Sequence, residues 1–128
     1  MSQENVELVQ EWFERWNRGD RDFSRAEVLH PDFQVISRYQ GESFRGLKGL
    51  RRWMQETESQ EWKVVVDEWR DTDDLVVALG RVHLRGKVSD VGSEQPSGWL
   101  FEFRDGKLFR FRTFAQQRQA LEAAGLRE

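Results

Sequence analysis

Residues 97–114, SGWLFEFRDGKLFRFRTF, alternate aromatic and charged side chains on either side of Asp105-Gly106. A period of two is that of a β-strand, and an Asp-Gly pair between two such runs marks a tight hairpin turn. Working backwards, the same period governs 75–88 (LVVALGRVHLRGKV) and 62–71 (WKVVVDEWRD), joined by the turn Thr72-Asp73-Asp74. These acids lack the spacing of a calcium loop, and the turn explains them. The second half of the chain therefore predicts four strands, SGWLFEFR (97–104) and KLFRFRTF (107–114) being the last two. A loop is expected over 89–96 (SDVGSEQP), with Pro96 suited to a strand's first position.

The first half changes period. Val6, Val9, Phe13 and Trp16, with Leu8 and Trp12 beside them, fall on one helical stripe that stops at Asn17-Arg18-Gly19-Asp20. Asp20 or Asp22 can cap a second, short helix running through Leu29. Pro31 closes it, and His30 is placed to cap its last carbonyls. Phe33–Tyr39 reads as a strand. A third helix opens near Gly46 with Leu47, Leu50, Trp53 and Met54 on one face, and a last helix from Gln116 to Ala124 stops at Gly125. The order predicts one α+β domain over 1–128, a mostly antiparallel sheet with helices on one of its faces. Rolled around the long N-terminal helix, such a sheet leaves a cavity at its open end.

Composition narrows the function. The chain has 128 residues, no Cys and a formal charge of -3, with six Trp and nine Phe. Disulfides, thiolate metal sites and Cys nucleophiles are excluded. The acidic balance argues against nucleic acid as a partner. The short apolar runs argue against a membrane span, and MSQENVELVQ shows no signal peptide, so a cytoplasmic location is expected. His30 and His83 stand too far apart for metal-ligand spacing, so neither a metal nor a cofactor is expected.

WNRGD (16–20), LHPDF (29–33), RG (45–46) opening a helix, the hairpin FRDGKL (103–108) and the ending ALEAAGL (120–126) occur in a telling order. Together they resemble bacterial members of the SnoaL-like branch of the nuclear transport factor 2-like superfamily. The resemblance covers nearly the whole chain. It implies a cone-shaped roll, with a curved sheet wrapped around the first of three to four helices. It also implies a homodimer and a mostly apolar pocket inside the cone. Ketosteroid isomerases of this superfamily carry a Tyr on the first helix and an Asp ending the first strand; the matching positions hold Trp12 and Ser37. Limonene-type epoxide hydrolases carry an Arg-x-Asp and a second Asp; ungapped counting from 104–107 reaches Arg81, His83 and Thr113. Arg81 is kept and both carboxylates are absent, so neither chemistry is supported.

His83 remains the acid–base candidate, beside Arg81 and Arg85 on one strand face. The resemblance puts Arg81 and His83 in the pocket. The alternation Val76, Ala78, Val82, Leu84 instead makes theirs the solvated or dimer-facing side. Trp12, Trp16, Trp53, Tyr39, Phe111 and Thr113 are expected to shape the cavity, with Tyr39 offering a phenol to orient a carbonyl. Two functions fit. One is a pocket for a small hydrophobic molecule, extending to an isomerase, cyclase or lyase with Arg81 and His83 as catalytic groups. The other is a non-catalytic homodimeric binding or scaffold module filled by its own aromatics. Homodimerisation is expected through the outer sheet face, because Trp99-Phe101-Phe103 and Phe109-Phe111 offer more apolar surface than one helical layer covers.

Overall fold

A computed structural model of the chain describes residues 2–19, 29–37, 42–56, 60–72, 74–86 and 92–126. The elements in chain order are α1 (Ser2–Asn17), β1 (Leu29–Ser37), β2 (Glu42–Arg45), α2 (Gly46–Glu56), β3 (Gln60–Asp71), β4 (Leu75–Gly86), β5 (Gly92–Arg104), β6 (Lys107–Phe114) and α3 (Gln117–Ala123). The strands form one curved, open sheet in the order β2-β1-β6-β5-β4-β3. Among the described strands only β1 and β6 run parallel; the other neighbours are antiparallel. This is the expected α+β cone with a mostly antiparallel sheet, with three helices among the described residues.

Local chemistry accounts for the meander. Asp105 (φ 55°) and Gly106 (φ 74°) both take the left-handed conformation that a two-residue hairpin between β5 and β6 demands. At the other hairpin the Thr72 amide donates to the Leu75 carbonyl at 2.9 Å. In α2 the predicted stripe of Leu50, Trp53 and Met54 is buried.

The sheet has two differently used faces. On the inner face, Val76, Ala78 and Val82 of β4, Trp99, Phe101 and Phe103 of β5 and Phe111 of β6 pack against Val9, Trp12, Phe13 and Trp16 of α1. On the outer face, Val77, Leu79 and Leu100 are covered by Ala120 and Leu121 of α3. Helices on one face only is thus corrected. The unbroken run LVVAL (75–79) is apolar at successive positions, so it is buried on both sides. The β5 aromatics expected on the outer face also point inward. Glu102, Arg110 and Arg112 occupy the outer positions, with Arg110 Nε 2.6 Å and Arg112 Nε 3.4 Å from Glu102 Oε2.

Several boundaries differ from the sequence reading. The predicted second helix falls mainly on 20–28, outside the described residues, and its expected end does not hold: Leu29 already opens β1. The restriction that Pro31 places on its predecessor is met by an extended His30. Pro31 lies in a register irregularity between Leu29 and Gln34, where no ladder bond needs its missing N–H. His30 therefore caps no helix; its Nδ1 accepts from the Asp32 amide at 3.0 Å and its ring meets Phe109 edge-on at 5.3 Å. Strand β2 was not anticipated, being four residues with one apolar side chain that β1 pairs through Val35↔Phe44. Strand β5 begins at Gly92 rather than Ser97. Its first residues pair with β4 as far as Arg85↔Gly92, while β6 reaches only Gly98↔Phe114. Pro96 is tolerated there because that side of β5 has no strand to bond.

Candidate functional site

Two anchors fix the C-terminal end of α1 against β3. The Trp16 indole donates to the Trp62 carbonyl at 3.0 Å. The Asn17 amide donates to the Val64 carbonyl and its oxygen accepts from the Val64 amide, both at 2.8 Å. Asn17 thus imitates a strand neighbour, satisfying both backbone groups of Val64. Its place at a helix end reads only as a stop signal, so the sequence concealed this role.

With α1 held there, its aromatic stripe faces β5, β6 and α2. Trp16 stacks on Trp53 at 5.4 Å between ring centroids, and Trp53 meets Phe111 at 5.7 Å. Phe111 lies 5.9 Å from Trp12 and 4.7 Å from Phe101. Phe101 continues the chain to Phe13 at 5.5 Å, and Phe13 to Trp99 at 5.2 Å. Each such pair adds about 0.5–1.5 kcal/mol beyond the area it buries. Trp12, Trp16, Trp53 and Phe111 are therefore brought together. Thr113 is buried one inward position beyond Phe111. Tyr39 lies outside the described residues. The sequence reading missed Phe13 and Phe101 as site residues, although Phe101 alternates in register with Phe103.

Polar groups are sparse in this interior. Among the described residues the buried polar ones are Asn5, Ser97 and Thr113. One further donor is sealed inside: Trp53 Nε1, in a side chain 6% exposed, has no hydrogen-bond partner among the described residues. Such a donor costs about 1–3 kcal/mol when left unpaired.

Arg81 and His83 are on the opposite side of the sheet. Val82 points into the interior, so its neighbours point out. The Arg81 guanidinium reaches Asp67 through Nε and Nη2, both at 3.3 Å, and Glu94 through Nη1 at 3.1 Å. Hydrogen bonds to Asp67 first and to Glu94 second, reinforced by the two negative charges, raise its pKa above the ordinary arginine value. His83 Nε2 is 3.4 Å from the Glu94 carboxylate. With Lys63, Arg85 and Ser93, His83 and Glu94 line an open groove of about 550 Å³. Of the two sides left open for Arg81 and His83, the structure shows the outward one, and the placement in the pocket that the resemblance implied does not hold. Ungapped counting across the β4–β5 connection tolerates no slip, and a slip of one residue moves a side chain to the other face. Among the described residues no three His, Asp or Glu side chains converge as metal ligands. No described helix is long and apolar enough to cross a membrane.

No curated protein matches the chain. Among solved structures, an NTF2-like protein of unknown function from Burkholderia pseudomallei superposes with a TM-score of 0.77 at 16% identity, over 92% of this chain and 95% of its own. A candidate polyketide cyclase from Xanthomonas campestris pv. campestris gives 0.77 at 23% identity, over 91% and 93%. SalBIII, an epoxide hydrolase/cyclase-like enzyme of pyran ring formation in the polyether salinomycin, gives 0.73 at 16% identity, over 88% and 90%. These likenesses establish the fold. The SnoaL-like domain model matches residues 9–111, and the chain belongs to the SnoaL-like domain family.

Proposed function

We propose that this protein binds a small, largely apolar molecule in the aromatic interior of its cone. The observation that carries the reading is the group of Trp12, Trp16, Trp53, Phe101 and Phe111 rings, in contact between α1, α2 and the inner face of the sheet. Flat apolar surfaces of this kind suit a carbon-rich partner, with a few polar groups left to orient it. The Xanthomonas and salinomycin proteins bear the names of polyketide and polyether chemistry, and both compound classes are carbon-rich.

Binding is favoured over proton transfer. The buried polar residues among those described are an amide and two hydroxyls, none of which titrates near neutral pH. His83, the acid–base candidate of the sequence, lies across the sheet from the rings.

A thermal melt with ethylnaphthalene tests the reading. A ligand of the native state raises the melting temperature in a saturable way set by its concentration over Kd. A saturable rise supports the pocket. An unchanged melting temperature up to the solubility limit supports instead an interior closed by its own aromatics.

A further inference from the structure

The arginines that point away from the interior are not equivalent. Arg81 is held by Asp67 and Glu94, and Arg110 and Arg112 share Glu102. Arg45 and Arg104 are in no ion pair with a described residue. Both line one groove of about 370 Å³ with Pro31, Asp32, Gln34 and Phe109. It lies where β1, β2 and the β5–β6 hairpin meet, at the register shift between Leu29 and Gln34. Phe44, Val35 and Phe103 point into the interior, so Arg45, Gln34 and Arg104 point out on the other side of the sheet. The Arg104 guanidinium lies over the Phe109 ring, 3.8 Å from its centroid. The His30 edge backs that ring at 5.3 Å. Such a contact engages the face of a guanidinium and leaves its N–H edge to donate. The acids of this corner do not take that edge. The carboxylates of Asp32 and Asp105 sit 4.0 and 3.9 Å from the ring nitrogens of His30, and both side chains are exposed.

We infer that this groove binds a phosphate monoester, its phosphate held between the Arg45 and Arg104 guanidiniums. Two planar forks carried by different strands call for an anion whose oxygens face more than one way. A tetrahedral phosphate has them, whereas a carboxylate offers one edge to one fork. Gln34, in register with Arg45, adds an amide donor, and Pro31 offers apolar surface to the organic part. Two arginines against Asp32 leave the groove at +1 on a chain of net charge -3, so the attraction is local. The groove lies across the sheet from the aromatic rings and does not depend on the interior pocket.

The side-chain Nε–Hε resonances of Arg45 and Arg104, assigned by their loss in Arg45→Gln and Arg104→Gln, report binding in ¹⁵N–¹H spectra. Phenyl phosphate, inorganic phosphate and phenylacetate are titrated in turn, each against sodium chloride at matched ionic strength. Phenyl phosphate is expected to move both resonances in a saturable way, with a Kd of about 1 mM for so open a site. Each Gln variant should weaken binding about three- to tenfold, and Asp32→Asn should strengthen it about twofold. Arg104→Lys keeps the charge and loses the fork, so it should weaken binding nearly as much as Arg104→Gln. Phenylacetate binding as tightly as phenyl phosphate overturns the choice of phosphate, and inorganic phosphate doing so overturns the ester. Shifts that do not saturate, or that chloride reproduces, overturn the site. If a Gln variant does not fold, the wild-type titrations and the Asp32→Asn protein decide the matter.

Discussion

Replacing Gly98 by Ala tests how closely α3 is seated on the outer face. A methyl at Gly98 would lie 2.7 Å from the Ala120 Cβ, about 1 Å inside ordinary carbon–carbon contact. Its next neighbours, Gln117 Cα at 3.4 Å and the Gln116 carbonyl at 3.6 Å, leave no path sideways. The helix must lift away from Val77, Leu79 and Leu100, and overpacking of this kind costs about 1–3 kcal/mol. Ala120→Gly alone loses one buried methyl, about 0.8 kcal/mol, and places Gly inside a helix for about 1 kcal/mol more. The exchange Gly98→Ala with Ala120→Gly moves the methyl across the interface. It should come within about 1 kcal/mol of the wild type, because a strand gains from Ala what the helix loses to Gly. Urea unfolding of the four proteins, with m-values checked for constancy, measures the coupling. Rescue in the double variant is expected. Additive losses, or a Gly98→Ala protein with an unchanged midpoint, would refute the close seating of α3.

Other substitutions separate the faces of the sheet. Leu121→Ala, in the cluster under α3, should cost about 2–5 kcal/mol in urea unfolding, the range for large-to-small core changes. Asn17→Ala removes two hydrogen bonds to half-buried Val64 and should cost about 2 kcal/mol by the same assay, with earlier exchange of the Val64 amide. Arg81→Gln and His83→Gln should leave ethylnaphthalene affinity unchanged in calorimetry, because both side chains lie across the sheet from the rings. Loss of binding in either variant would return them to the site.

Much of this was legible because the second half of the chain repeats a two-residue period and its turns are chemically explicit. Asp105-Gly106 could hardly be anything but a hairpin. The same pattern was misread at the level of faces. Alternation shows that Trp99, Phe101 and Phe103 share a side of β5 but not which side, and the choice depends on where α1 lies. Arg81 and His83 show the converse. The local pattern Val76, Ala78, Val82 placed them outward, while a count through a connection of variable length placed them inward. The local pattern prevailed, since burial of Val82 is a physical constraint and loop length is not. The N-terminal part of β5 was illegible, because Gly92–Pro96 is polar throughout and is held extended by its partner strand. Leu29 and His30 misled because a proline that ends a helix also suits an irregular strand. The unpaired state of Trp53 Nε1 is invisible in any sequence, where every Trp in a stripe looks the same.

The central claim, that the interior rings receive an apolar ligand, is most directly tested by isotope-filtered NOE spectra of the protein with ethylnaphthalene. Contacts from ligand protons to the rings of Trp12, Trp16, Trp53 and Phe111 are predicted. Contacts confined to the outer groove of Lys63, His83 and Arg85, or no contacts at all, would contradict it.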